Sequence, residues 1–430
     1  MIAAEIIAVG SELLLGGRTE TNSIFLAEML AAQGIEVRFK TVVGDDIEDM
    51  CGAITQAAKR ARIVVITGGL GPTVDDLTRK AVSKVTGRPL RLRPQILRFI
   101  RARFHLAGRT MSKNQQRQAL LPSGSGLLRN SVGTAPGFCL NWKQCRIFCL
   151  PGVSHEARAM FAEGVVPILV KENAVGMPIE SRTLHTFGLI EGVIDERIKG
   201  VVPASSGIRV GILASPLGVS ISCVSRRSMD GIKSKFNNKV SIKSKVELDI
   251  YFEEISRKLG SYVYGIGAQT MEEVVGQRLT AQGLKLALAE SCTGGLIGHR
   301  LTQVPGSSAY VERGVVCYSN KAKMDLLGIS ETLLVKHGAV SAQVARAMAK
   351  AVRARSAVDL GLSVTGIAGP GGGTAKKPVG LVYVGLATPR KTFTKEFRFH
   401  GDRNMVKLRS SQGALDMLRR WLLGLPLSDD

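Results

Sequence analysis

Three short runs of branched apolar residues occur early in the chain, at 2–9 (IAAEIIAV), 35–43 (IEVRFKTVV) and 63–67 (IVVIT), and each stops at a glycine-bearing turn. Between the first two, Asn22 to Gln33 carries Ile24, Leu26, Ala27 and Leu30 at helical spacing and ends at Gly34. A strand followed by a helix and another strand requires a crossover, and repeated crossovers build a mostly parallel sheet with helices on both faces. The fold class expected is therefore α/β, opening with a three-layer domain. In such sheets ligands bind beyond the carboxyl ends of the strands.

Three strand ends carry candidate residues: Gly10-Ser11-Glu12, Asp45-Asp46, and the turn Gly68-Gly69-Leu70-Gly71 with Asp75 and Asp76. Gly68, Gly69 and Gly71 permit a phosphate to approach the backbone, and a helix after Pro72 would aim its N-terminus there. Asp45 and Asp76 are expected at neighbouring strand ends, with Asp75 the third candidate, holding a divalent cation against a pyrophosphate. The plainer reading is a glycine-rich turn whose aspartate caps the helix. Neither GxxxxGK[ST] nor GxGxxG occurs, so no P-loop or dinucleotide fingerprint applies.

A net charge of +23 could mark a nucleic-acid partner, and Arg79 to Arg129 holds 13 Lys or Arg with no acidic residue. Such a stretch attracts phosphate on a nucleotide, a nucleic acid or a membrane surface, or is a solvated basic face. Aromatic content of 5% leaves little for stacking bases, which argues against specific nucleic-acid binding. No apolar run approaches transmembrane length, the N-terminus has no basic leader, and seven cysteines form no regular framework. A cytoplasmic protein that neither spans nor sits on a membrane is expected.

Further on, Leu286 to Ala289 breaks into Glu290-Ser291-Cys292-Thr293-Gly294-Gly295, followed by an amphipathic pattern with Leu296, Ile297 and Leu301. The order reads as strand, turn and helix, with Ser291 or Thr293 at a helix start that offers free N–H groups to an anion. Either hydroxyl could simply cap the helix. A second strand, Gly314 to Cys317, leads to Tyr318, Ser319, Asn320, Lys321 and Lys323. Serine on one turn and lysine on another suit an amide hydrolase without a catalytic histidine, the N–H groups near Thr293 and Gly294 holding the oxyanion. Cys292 is the rival nucleophile, but neither His299 nor His337 is placed to activate it. After the strand Leu362 to Val364, the run Thr365-Gly366-Ile367-Ala368-Gly369 could form a nest for phosphate or amide oxygen, and Arg403 suits a phosphate contact.

Between these halves, residues 171–265 read as β-α-β-β-α-β: strands from Ser181, Ile208, Val219 and Tyr262, helices at Ile190–Lys199 and Glu247–Leu259. This suggests a small split α/β linker domain. IKSK occurs at 232–235 and again at 242–245, and the basic segment 226–245 reads as a mobile loop.

The pieces GSELLLG, ETNS, VGDD, TGGLGPTVDDLT, NQQRQALLP, NSVGTAPGF and LPGVSHEARAMF recur in order through residues 1–170. They resemble the molybdopterin-binding-like domain that opens the CinA (competence/damage-inducible protein A) family. Ser154 and Ala157 stand where the family usually has Pro and Met. From 266 to 430, AESCTGGLIGHRLTQVPGSSAYVERGVVCYSNKAKMDLLGI, HGAVSAQVARAMAKAVR, SVTGIAGPGGGTAKKPVGLVYVGLA and FHGDRN resemble that family's C-terminal domain. The resemblance implies a nicotinamide mononucleotide (NMN) deamidase needing no cofactor, with Ser291 as nucleophile, Lys323 as its lysine, Tyr318 and Thr365 in support and Arg403 on the substrate. For residues 1–170 it implies cleavage of ADP-ribose with a divalent cation (Mg, Mn or Co) and potassium. It also implies a homodimer. Two rival readings accompany it: a basic DNA- or recombination-associated binding protein, and an N-terminal domain kept as a pterin-binding remnant.

Overall fold

The computed structural model describes residues 2–17, 19–106, 108–172, 174–175, 179–225 and 238–427, with backbone alone for 238–245. The chain divides into two compact units, Met1–Glu180 and a second comprising Ser181–Ser228 and Lys233–Asp430.

In the first unit the predicted runs form β1 (Ile2–Val9), β2 (Ile35–Val43) and β3 (Ile63–Thr67). Two short strands, β4 (Leu90–Leu92) and β5 (Leu120–Pro122), pair with each other. Then come β6 (Gly126–Leu128), β7 (Gly137–Trp142) and β8 (Cys145–Leu150). The main sheet runs β2-β1-β3-β8-β7-β6. Its first four strands are parallel, and the last two join antiparallel. The reversal follows from chain length: only Lys143 and Gln144 separate β7 from β8, and Lys143 takes φ 53 to close the hairpin.

Alternate residues serve opposite faces. Ile7, Val9, Val64 and Ile66 pack with Met50, Ile54 and Val82. Ala4, Ile6, Ile63 and Val65 pack with Leu26, Leu30 and Phe161. Helices thus cover both sides, as a sheet of continuous apolar runs requires. Glu5 lies buried within β1, neutralised by Arg60 at 2.7 Å and receiving a hydrogen bond from Thr41.

The second unit contains two sheets. β9 (Ser181–Thr186), β10 (Ile208–Ser215), β11 (Gly218–Ser225) and β12 (Val263–Ile266) form an antiparallel sheet ordered β10-β11-β9-β12. The helices Glu191–Ile198 and Asn238–Leu259 cover one face, through Ile194, Leu248, Phe252 and Ile255 on Leu184 and Ile221. This is the β-α-β-β-α-β arrangement read from the pattern. Residues 226–237, including the first IKSK, lie outside the described residues. The second IKSK belongs to the helix beginning at Asn238, where a loop was expected. Its Lys and Ser residues tolerate helix, and the amphipathic segment after it extends toward the N-terminus.

The other sheet comprises β13 (Leu286–Glu290), β14 (Val311–Val316), β15 (Leu360–Gly366), β16 (Leu381–Ala387) and β17 (Thr392–Arg398), ordered β14-β13-β15-β16-β17. Leu286 and Leu288 pack with Val275, Leu301, Leu415 and Leu418 on one face. Ala287 and Ala289 pack with Val344, Met348 and Val352 on the other. Within this unit Arg419 donates to the carbonyls of Ser261 and Val263, while buried Asp416 holds both Arg419 and Arg420. Among the described residues no helix is long and apolar enough to cross a membrane. All seven cysteines are free thiols.

Candidate active site

β13 ends at Glu290, whose carboxylate organises the turn and helix after it. It is 2% exposed and accepts hydrogen bonds from the N–H groups of Gly295 (3.0 Å), Ile297 (3.1 Å) and Gly298 (2.8 Å). The helix Leu296–Thr302 is therefore capped from within, and its partial positive end is neutralised by the chain itself. Neither Ser291 nor Thr293 caps it; the N-cap position is Gly295. Gly294 (φ 63) and Gly295 (φ 93) both take the left-handed region, which folds the turn back onto Glu290 at little steric cost. The expected anion site at this helix start is occupied by a carboxylate.

The turn fixes Ser291 from both sides. Its N–H donates to the Val364 carbonyl of β15, while the Glu290 carbonyl accepts from the Cys317 N–H beyond β14. The Gly294 N–H, one expected oxyanion donor, is spent on the Ser291 carbonyl at 3.0 Å. The N–H groups of Cys292 and Thr293 donate to no backbone carbonyl among the described residues and lie against the Cys292 sulfur, a weak acceptor. The Thr293 hydroxyl is fully buried, without a partner among the described residues.

Lys323 reaches this turn from the first turn of the helix Asn320–Leu327, started by Ser319, whose hydroxyl accepts from the Ala322 N–H. Side chains near a helix start lean back toward its N-terminus, here toward the end of β14. Lys323 Nζ lies 3.0 Å from Ser291 Oγ, 2.9 Å from the Cys317 carbonyl and 3.3 Å from the Tyr318 carbonyl. The side chain is 1% exposed, and among the described residues it has no salt bridge to a carboxylate. Burial therefore pulls its pKa below the usual lysine value. The three contacts suit an ammonium with three N–H donors, and equally a neutral amine whose lone pair accepts from the Ser291 hydroxyl.

Tyr318 takes part through its main chain. Its carbonyl meets Lys323, while its exposed phenol accepts from Arg403 Nη2 at 2.6 Å. Arg403 Nη1 donates to the Gly369 carbonyl at 2.6 Å, joining the glycine-rich loop to Tyr318. Arg403 opens the helix Arg403–Leu422, after the Asp402 cap. Thr365 is buried and its hydroxyl donates to the Ala339 carbonyl, so it tethers a neighbouring loop. Gly366 packs tightly on β16: a Cβ there would come within 2.6 Å of Val382.

Cys292 is 5% exposed, and desolvation pushes its thiol up to about 12. It is a poor nucleophile near neutral pH. Cys292→Ala is expected to keep most of any turnover that Ser291 supports, since the backbone amide survives; an inactive Cys292→Ala with an active Ser291→Ala would identify a thiol enzyme.

In the first unit the aspartates do not converge. β1 separates β2 from β3, so Asp45 and Asp76 do not follow neighbouring strands. Asp45 accepts from the Ser11 N–H at 2.8 Å. Asp76 accepts from the N–H groups of Gly71 and Thr73, both at 2.7 Å, and stitches its own turn. Neither Asp75 nor Asp76 caps the following helix, Thr78–Thr86, whose N-cap is Leu77. Among the described residues no three His, Cys, Asp or Glu side chains are gathered as a metal site. No step is assigned to a cation. Gly68, Gly69 and Gly71 line the same turn; a Cβ on Gly68 would lie 2.3 Å from the Val9 carbonyl oxygen. The basic stretch is also partly spent: buried Arg79 donates to Leu70 and Gly71, and Arg103 to Asn130 and Gly133.

The strand ends do hold a cavity of about 130 Å³, lined by Glu12, Glu20, Asn22, Thr67, Gly152 and Ser154 among others. Asn22 Nδ2 donates to Thr67 Oγ1 (3.1 Å) and to the Gly152 carbonyl (2.8 Å). Glu20 and Asn22 were visible only as part of ETNS; nothing in their spacing marks them as cavity residues.

A family model described as the CinA C-terminal domain matches residues 268–422, and one described as a probable molybdopterin binding domain matches residues 5–171. Putative competence-damage inducible proteins of Caldicellulosiruptor bescii and Halothermothrix orenii are 42% and 41% identical to this chain. The alignments cover 98% and 97% of this chain, and 100% and 98% of those proteins. A CinA-like protein of Kosmotoga olearia is 38% identical, over 98% of this chain and 99% of its own. A crystal structure of the competence/damage inducible protein CihA from Agrobacterium tumefaciens is 42% identical, with TM-score 0.34, over 35% of this chain and 94% of that one.

Proposed function

The chain belongs to the CinA family, and on that premise we propose that its second unit is an amidohydrolase that converts nicotinamide mononucleotide to nicotinate mononucleotide and ammonia. The observation that carries this reading is the buried 3.0 Å contact between Lys323 Nζ and Ser291 Oγ. Lys323, neutral, takes the hydroxyl proton as Ser291 Oγ attacks the carboxamide carbon. The amides of Cys292 and Thr293 are the donors left for the oxyanion. The proton passes to the departing nitrogen, ammonia leaves, and an acyl-serine ester remains. Water, giving its proton to Lys323, cleaves that ester and restores the hydroxyl. The orphan Thr293 hydroxyl is available to the bound carboxamide. Arg403, already aligned by Gly369 and Tyr318, is the cation for the substrate's phosphate. The test is direct: the full chain incubated with nicotinamide mononucleotide should release ammonia and nicotinate mononucleotide in equal amounts. Absence of both products would overturn the reading.

For the first unit we propose a second activity, cleavage of the pyrophosphate of ADP-ribose. It is supported by the resemblance and by the polar cavity at the carboxyl ends of β1 and β3. Asn22→Ala should reduce release of AMP and ribose 5-phosphate from ADP-ribose while leaving ammonia release intact. Unchanged AMP release from the variant would remove the cavity from the assignment.

A further inference from the structure

A nucleotide carries a phosphate that must be held while the carboxamide meets Ser291. The start of the helix Leu296–Thr302 cannot hold it, because the Glu290 carboxylate already takes three of its N–H groups. Most cations around this turn are also spent. Lys321 pairs with Asp325, and Arg300 is buried against Glu272, Ser411 and Gln412. Lys377 donates to the carbonyls of His337 and Val340.

Lys407 is different. It stands four residues after Arg403 on the helix Arg403–Leu422, so both side chains share one face. Its ammonium faces the nucleophile turn: a Cβ built on Gly294 would lie 3.8 Å from Lys407 Nζ. The residue is half-buried, and it has no hydrogen bond or ion pair among the described residues. A partly desolvated ammonium gives up hydration and rotamer freedom, and here no protein group repays either cost.

We propose that Lys407 is a specificity-determining residue whose ammonium binds the phosphate monoester of the substrate and selects nucleotide over nucleoside. The proposal rests on reading Ser291 and Lys323 as an amidase for a nicotinamide nucleotide. A phosphate monoester carries close to two negative charges near neutral pH, and Arg403 supplies one positive charge against them. Lys407 supplies a compact second charge that needs no fixed orientation.

The test separates this inference from that reading. Calorimetric titration of the full-length Ser291→Ala protein would compare nicotinamide mononucleotide with nicotinamide riboside, which lacks the phosphate. The nucleotide should bind more tightly. Adding Lys407→Ala should weaken nucleotide binding about 10- to 100-fold, the loss expected for one charged hydrogen bond, with the riboside far less affected. Lys407→Arg should recover much of the difference. Equal loss for both ligands, or no loss for either, would overturn the inference. If the wild-type chain releases no ammonia yet Lys407→Ala still erases the phosphate preference, the amidase reading falls and the phosphate contact stands. If neither ligand binds, both fall.

Discussion

Ser291→Ala and Lys323→Ala are each expected to abolish the proposed ammonia release while the protein stays folded, with the double variant scarcely worse than either. Loss of the nucleophile should cost at least about 10³-fold in kcat, and loss of the base on the order of 10²–10⁴-fold. The near-equality follows because the two groups act in one step. Lys323→Arg sharpens the test, since a guanidinium keeps the charge but cannot accept a proton in this range. It should be as inactive as Lys323→Ala. The pH profile has a defined sign. Only the neutral amine accepts the serine proton, so kcat/KM rises with pH through the folded pKa of Lys323. Burial lowers that pKa, so the rise should come below the pH at which an ordinary lysine titrates. A flat profile, or an active Lys323→Arg, would remove lysine from the role of base.

Glu290→Ala is expected to produce the second largest effect, on stability as well as rate. It leaves the N–H groups of Gly295, Ile297 and Gly298 without their acceptor beside a buried space. Each lost bond involves a charged partner, so a total on the order of 3–5 kcal/mol is expected, short of simple addition. For a unit of this size that lowers Tm by roughly 10 °C. Glu290→Gln discriminates packing from charge. It keeps the shape but has one acceptor oxygen and turns an N–H2 group toward amide donors. It should fold better than Glu290→Ala and still lose kcat, with KM little changed, because the turn that aims Ser291 and the Thr293 amide no longer closes fully. A Glu290→Gln protein with wild-type kcat would make the carboxylate purely structural.

The strands were legible because their patterns are local. Ile2–Val9, Ile35–Val43 and Ile63–Thr67 are bounded by glycine turns; the first and third are apolar because the sheet buries them, while Ile35–Val43, at the sheet edge and largely exposed, shows as branched residues alternating with Glu36, Arg38 and Lys40. The Ser291–Lys323 pair was legible as residue types beyond two strands that proved adjacent, β13 and β14. Glu290 was read only as the first residue of the turn, whereas it closes β13. Its signal was a carboxylate with no nearby cation, placed before Gly294-Gly295 and a helix lacking its own cap residue. Asp45 and Asp76 were expected at neighbouring strand ends, but β1 lies between β2 and β3, because strand order in the sheet is not chain order. Lys407 could not be found, since its position depends on a helix packing against a turn more than a hundred residues earlier in the chain.

The separation of these parts along the chain bears on how such a protein can diversify. Nucleophile and base lie 32 residues apart, on one strand–helix–strand–helix segment from Leu286 to Leu327. Tyr318 meets its guanidinium partner only across 85 residues, on the terminal helix. On the proposed reading, bond-breaking and ligand choice are thus carried by different stretches of inheritance. On that reading a descendant can exchange the charge at 407, and so accept another substrate, while the Leu286–Leu327 segment keeps its own contacts. Recombination that replaces the terminal helix would pass on the reaction and alter its clientele.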